Sequence, residues 1–254
     1  MISGRSVILL PREGPLSNAI NSSATPAVEC LGVAHRFGSK WALRGVTLSV
    51  AAGEIIALVG KNGSGKSTLV RAIATALRPT KGTIRVFGND TRSDSGAVRE
   101  SIALVGHATG VYEDLTVIEN LRFACKMAGE PHDDARLLAV LERVGLAHEA
   151  NARGRELSAG QQRRIALSRV LLRPVRLLLL DEPYTSFDDD GVASVNDMLV
   201  DLRARGGSAI VITHEMERVR GIIDGTVRLD AGLLFEPSLT PTGAMPAFKA
   251  VRHG

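Results

Sequence analysis

From Val28 to Thr213 the chain alternates between two kinds of apolar pattern. Val28 to Val33 and Ala42 to Val50 place apolar residues at alternating positions, as half-buried strands do, and Gly38-Ser39 between them supplies a turn. Glu54 to Val59 is a short apolar run ending in Gly60, and Ile102 to Val105, Leu177 to Leu180 and Ala209 to Thr213 are of the same type. Such runs suit strands covered on both faces. Ser67 to Leu77 instead repeats its apolar positions with helical period and is stopped by Pro79. Val117 to Ala128, Asp133 to Val144 and Ala159 to Leu172 are also predicted as helices, with no strand between the first two. The pattern therefore predicts a helical lobe inserted between two parts of an α/β core.

The ends of the chain lack this order. Residues 1–26 are rich in Ser, Asn, Pro and Gly and are expected to form a flexible N-terminal extension. Residues 236–254 carry three prolines and a basic end and are expected to form a flexible C-terminal tail. This leaves 27–235 as the expected folded domain, with no internal repeat.

Composition narrows the class without naming a chemistry. With 254 residues, 23% of them charged and 44% hydrophobic, the chain can bury one substantial core, or a core and a smaller lobe. No apolar stretch approaches the roughly 20 residues that cross a bilayer, so a membrane role would need another chain to form the pore. The net charge of +4 rests mainly on arginine, since only six lysines occur. The arginines are dispersed and aromatics are only 4%, so no nucleic-acid partner is expected. Arg163, Arg164, Arg169 and Arg173 on one predicted helix read as a solvated or dimer-facing surface. Cys30 and Cys125 lie far apart without metal-ligand spacing, which fits a reducing cytosolic compartment. Val7-Ile8-Leu9-Leu10 is too short for the core of a signal peptide.

The chemistry enters at Gly60-Lys61-Asn62-Gly63-Ser64-Gly65-Lys66-Ser67-Thr68, between a predicted strand and a predicted helix. This is a complete phosphate-binding loop. Its glycines let backbone N–H groups close around phosphate oxygens, and the following helix presents its positive end. Lys66 is expected to neutralise the β- and γ-phosphates, and the Ser67 hydroxyl to ligate Mg²⁺. Much later, Leu177 to Leu180 delivers Asp181-Glu182 at the carboxyl end of a strand, where α/β sheets place their ligands.

Leu157-Ser158-Ala159-Gly160-Gln161, just upstream of that acid pair, resembles the signature string of the ATP-binding cassette ATPases, with Ala159 where a glycine is usual. The resemblance spans about residues 27 to 235. It implies an α/β P-loop NTPase fold: a RecA-like core, an antiparallel β lobe and an inserted α-helical subdomain. It also implies roles. Asp181 would hold Mg²⁺ and Glu182 would act as general base on the attacking water. His214, after the strand Ala209 to Thr213, would be the switch histidine on the γ-phosphate. Thr185-Ser186-Phe187-Asp188 fits the family's D-loop, and Phe37 the aromatic that stacks on adenine. Ser158, Gly160 and Gln161 would complete the site of a second monomer, so that ATP and Mg²⁺ are held in a head-to-tail dimer. Where the family has a glutamine that senses its membrane partner, this chain has His107, whose imidazole would become cationic near or below its pKa.

Gly106-His107, Leu157-Ser158-Ala159-Gly160-Gln161-Gln162-Arg163-Arg164 and Asp181-Glu182-Pro183-Tyr184-Thr185 resemble, more narrowly, the heme-exporter ATPase subunits of cytochrome c maturation. Those subunits carry Phe in place of Tyr184 and Gln-Pro in place of Ala108-Thr109. The resemblance implies an ATP hydrolase at the cytoplasmic face of the inner membrane, peripheral through separate transmembrane permease subunits. Two other readings use the same nucleotide site: the motor of a drug, lipid or polysaccharide exporter, and a soluble cassette ATPase of the iron–sulfur-assembly type.

Overall fold

A computed structural model describes residues 25–106, 108–185, 187–238 and 247–250. Strands β1 (Val28–Phe37) and β2 (Lys40–Val50) form an antiparallel hairpin. β1 runs past the predicted end at Val33 because a register shift between Cys30 and Val33 exposes Leu31 and Gly32 and breaks the alternation. β3 (Ile55–Val59) leads through the glycine loop into α1 (Lys66–Ile73). This helix ends earlier than the apolar period predicts. Thr75 turns to φ +61°, and the N–H groups of Ala76 and Leu77 both return to the Arg71 carbonyl. β4 (Lys81–Val86) and β5 (Asn89–Asp90) complete a four-stranded antiparallel sheet in the order β2-β1-β4-β5.

After α2 (Ser95–Ser101) and β6 (Ile102–Val105), the chain builds the helical lobe from α3 (Val117–Ala128), α4 (Asp134–Arg143) and α5 (Ala159–Leu171). Thr116 and Glu119 close α3 in a reciprocal capping box, and Gly129 ends it at φ +70°. The core resumes with β7 (Leu177–Asp181), α6 (Asp189–Ala204), β8 (Ser208–Ile212), β9 (Gly225–Asp230), β10 (Leu233–Ser238) and β11 (Ala247–Ala250). The second sheet has the order β11-β10-β9-β3-β8-β7-β6, parallel from β9 to β6 and antiparallel at its β10–β11 edge. Strand pairing thus continues past residue 235, where the folded domain was expected to end.

β3, β7 and β8 carry unbroken apolar runs because each is covered on both faces. Leu177 and Leu179 face a core shared with α1 and the antiparallel sheet, while Leu178 and Leu180 face a core shared with α5 and α6. Ile210 and Ile212 of β8 divide from Ala209 and Val211 in the same way. Each such leucine or isoleucine contributes about 1.5–3 kcal/mol on burial. A third core, including Leu121, Leu137, Leu141 and Ile165, closes the helical lobe on itself. The result is an α/β core with an antiparallel β lobe and an inserted helical subdomain, in which the carboxyl ends of β3, β7 and β8 lie side by side.

Candidate functional site

The loop between β3 and α1 is shaped by two glycines that nothing larger can replace without movement. Gly60 has φ +153°, and a Cβ there would lie 2.0 Å from the Leu229 carbonyl oxygen. Gly65 has φ +107°, with the Ala42 carbonyl oxygen 2.5 Å from its hypothetical Cβ. The loop's backbone is thereby packed against β9 and β2 while its other side faces a cleft. Lys66 Nζ donates to the Gly60 carbonyl at 2.7 Å and the Lys61 carbonyl at 3.1 Å, which holds the ammonium against the loop. Burial pulls the Lys66 pKa below its ordinary value, and the Glu182 and Asp181 carboxylates oppose that shift. α1 begins with no side-chain cap, so its first N–H groups are left to an anion or to water. Ser64 is buried, and its Oγ has no hydrogen-bond partner among the described residues.

Across the cleft, β7 ends in the acid pair. Asp181 is only 3% exposed, and its Oδ1 is buried without a donor among the described residues. An anionic oxygen in that condition suits a cation, and one carboxylate beside a serine hydroxyl and phosphate oxygens is a sufficient protein contribution for Mg²⁺. The residues present therefore fit the metal, with Asp181 and Ser67 on its protein side. Glu182 adopts φ +53°, and its N–H donates to the Ile212 carbonyl at 2.9 Å. Its Oε1 lies 3.2 Å from Nε2 of His214, which follows β8. These groups share one cleft of about 550 Å³, lined by Asn62 to Thr68, Asp181, Glu182 and His214. Thr185, the first residue of the D-loop string, also lines it, as do Ala42 and Glu215, which were not singled out in the sequence, where nothing but their neighbours marks them.

Other predicted residues stand apart from this cleft. Ser158 caps α5: its Oγ accepts from the Gln161 N–H at 3.2 Å, and Gln161 Oε1 accepts from the Ser158 N–H at 2.9 Å. Gly160 lies in the same first turn, and none of the three lines the cleft. Phe37 is 57% exposed and meets His35 edge to face at 4.7 Å, also off the cleft. Asp188 caps α6 through the Gly191 N–H at 2.9 Å and pairs with Arg164. The Gly191 N–H first, and Arg164 second, hold its carboxyl below the usual range. His107 lies outside the described residues.

Of the two readings of Arg163, Arg164, Arg169 and Arg173, a solvated or a dimer-facing surface, the solvated one does not describe the three in α5 or Arg173 just beyond it. Arg163 is 6% exposed and donates to the carbonyls of Asp181 and Glu182. Arg164 reaches the Val144 carbonyl and Asp188. Arg169 binds the carbonyls of Thr109 and Gly110, and Arg173 those of Arg99 and Ile102. A charge pattern cannot distinguish these cases, because the acceptors are main-chain carbonyls distant in sequence.

The geometry is that of a nucleoside triphosphate site, and comparison with known proteins agrees. Residues 43–185 match the family model described as ABC transporter. The chain is 37% identical over 200 residues to the cytochrome c biogenesis ATP-binding export protein CcmA 2 of Cupriavidus metallidurans, covering 79% of this chain and 95% of that one. It is 36% identical over 222 residues to the methionine import ATP-binding protein MetN of Brucella abortus, covering 85% of this chain and 60% of that one. Among solved structures, an ATP-binding subunit of an ABC transporter superposes with a TM-score of 0.74 at 25% identity, over 81% of this chain and 87% of that one.

Proposed function

The chain belongs to the ABC transporter family of ATP-binding subunits, and from that premise we propose that it is the Mg²⁺-dependent ATP hydrolase of a heme exporter complex serving cytochrome c biogenesis. The observation that carries the hydrolase is the meeting of Lys66, Ser67, Asp181, Glu182 and His214 in one cleft. The loop N–H groups and Lys66 bind the phosphates, and Phe37 offers an aromatic face to adenine. Ser67 and Asp181 would hold Mg²⁺, which when bound neutralises charge on the β- and γ-phosphate oxygens. Glu182 Oε1 takes the proton of the attacking water, and His214, 3.2 Å away, orients that carboxylate and reaches toward the γ-phosphate.

Ser158, Gly160 and Gln161 are off this cleft, at a helix N-terminus suited to phosphate. A head-to-tail dimer would bring them onto the nucleotide of the second copy, with Asp188 near the seam. Among the described residues no helix is long and apolar enough to cross a membrane. Separate permease subunits would anchor the chain at the cytoplasmic face of the inner membrane, and His107 would take the partner-sensing role that the family gives to a glutamine.

The heme assignment is supported by Leu157 to Arg164, Gly106-His107 and the cytochrome c biogenesis relatives. The methionine-import relatives at similar identity support a second reading, in which the same motor serves another permease. A pull-down from solubilised membranes with Glu182→Gln protein and Mg-ATP separates them. Co-purification of heme-handling membrane proteins is the expected result. An unrelated permease would move the cargo, and soluble iron–sulfur factors alone would overturn transport itself.

A further inference from the structure

Resting on the reading of Glu182 as general base, we propose that Arg163 is the positioning residue that aims it. Glu182 holds φ +53°, a left-handed conformation that a residue with a Cβ keeps only where its neighbours enforce it. Two peptide planes meet at its Cα, and their orientation sets both of its torsions. Arg163 Nη2 donates to the carbonyl oxygen of each plane: Asp181 O at 3.0 Å, and Glu182 O. The first plane is tied from its other side by the Glu182 N–H to Ile212 O at 2.9 Å. One buried guanidinium therefore clamps the backbone on both sides of the base while standing outside the cleft.

Packing alone explains this arrangement poorly. Arg163 Nε is buried with no partner among the described residues, so the side chain is an incompletely satisfied buried cation. Such a group is costly to keep unless the turn it grips needs it. Arg163 also lies in α5, five residues beyond the Ser158 cap. A movement of α5 driven at its N-terminus reaches Glu182 through a single side chain, which makes Arg163 a link between the signature string and the base of the same subunit.

The test is a double-mutant cycle on the full chain, with Arg163→Gln and Arg163→Lys made alone and together with Glu182→Gln. ATP turnover, KM, affinity for a fluorescent ATP analogue and thermal melting are measured for each. Arg163→Gln is expected to lower kcat about 10- to 100-fold, the scale of a misaligned catalytic group, while nucleotide affinity stays within about twofold. Lysine at this position should recover part of the loss. In the Glu182→Gln background the further loss should fall to about twofold or less, because the base it aims is gone.

Losses that multiply with that of a slow Glu182→Gln enzyme, or affinity falling in step with kcat, would overturn the positioning role alone. A Glu182→Gln enzyme that turns over at the wild-type rate would instead remove the base assignment and this inference with it. If Arg163→Gln fails to fold, Arg163→Lys runs the same cycle and is judged by the same two criteria.

Discussion

Replacing Gly60 by alanine asks whether the phosphate loop is built on backbone contact. The added Cβ would sit 2.0 Å from the Leu229 carbonyl oxygen and 2.9 Å from Ser64 Oγ, against 3.4 Å for ordinary contact. The first neighbour is main chain and has no rotamer to escape into. Leu229 belongs to β9, which pairs with β3 up to Val59, so moving the oxygen away strains the ladder that positions the loop. A φ of +153° adds strain of about 1–3 kcal/mol for a residue with a Cβ. Overpacking against a fixed backbone adds about 1–3 kcal/mol more.

The total, about 2–6 kcal/mol, is a large part of the roughly 5–15 kcal/mol that a domain has. Gly206→Ala is the control: its φ is +74°, nothing lies within 4 Å of a Cβ there, and it is far from the loop in sequence. It should show only the conformational cost, about 1 kcal/mol. Urea unfolding followed by circular dichroism gives both values, and titration with a fluorescent ATP analogue reads the loop directly. Gly60→Ala should lose most of its nucleotide affinity, and Gly206→Ala almost none. A Gly60→Ala protein as stable as the control, or one that binds nucleotide normally, would refute the packing argument.

Three further outcomes are expected. Burial, with a smaller push from Glu29, raises the Cys30 thiol pKa to about 12, so Cys30 should resist iodoacetamide at pH 8 in the folded chain and react in denaturant. Asn120 is fully buried; its amide donates to the carbonyls of Tyr112, Leu115 and Thr116, and its oxygen accepts from the Tyr112 N–H at 2.8 Å. Asn120→Ala should cost about 2–3 kcal/mol in urea unfolding, from polar groups of the 112–116 turn left unpaired. Burial foremost pushes the Glu54 carboxyl above 4.5, with the Ala51 N–H opposing and the Asp224 carboxylate adding. The folded state then takes up this proton first on acidification, so the native side chain gains stability as pH falls through its folded pKa toward 4.5. Glu54→Gln should be at least as stable as the native chain at pH 7, and its relative advantage should shrink across that window; a constant difference from pH 7 to 4 would contradict this.

How much of the fold was legible depended on whether a segment's covering lay in a regular pattern. β3, β7 and β8 were readable because strands buried on both faces are continuous apolar runs, and the edge strand β6 because its short run is apolar throughout although Leu104 is exposed. α3 and α4 were readable because each buries one stripe against the helical lobe. β4, with Ile84 and Val86 alternating against exposed neighbours, and α6, capped by Asp188, carried signals of their own that were passed over. The end of α1 could not be read from its apolar period. The turn there is set by the backbone at Thr75, while the apolar positions run on to Leu77.

The sequence alone determined the ligand chemistry, because a glycine loop closing on phosphate works through backbone N–H groups whose order along the chain is the site itself. It also determined that an acid pair would arrive at a strand end, since unbroken apolar runs specify a buried parallel strand. Only the tertiary structure decided which distant residues meet there. It placed Asp181, Glu182 and His214 across one cleft from Lys66, left Ser158, Gly160 and Gln161 outside it, and turned three arginines of α5, and Arg173 just after it, onto main-chain carbonyls. The physical reason is that a carbonyl oxygen carries no sequence label. Every residue has one, and only the fold decides which of them a buried guanidinium will find.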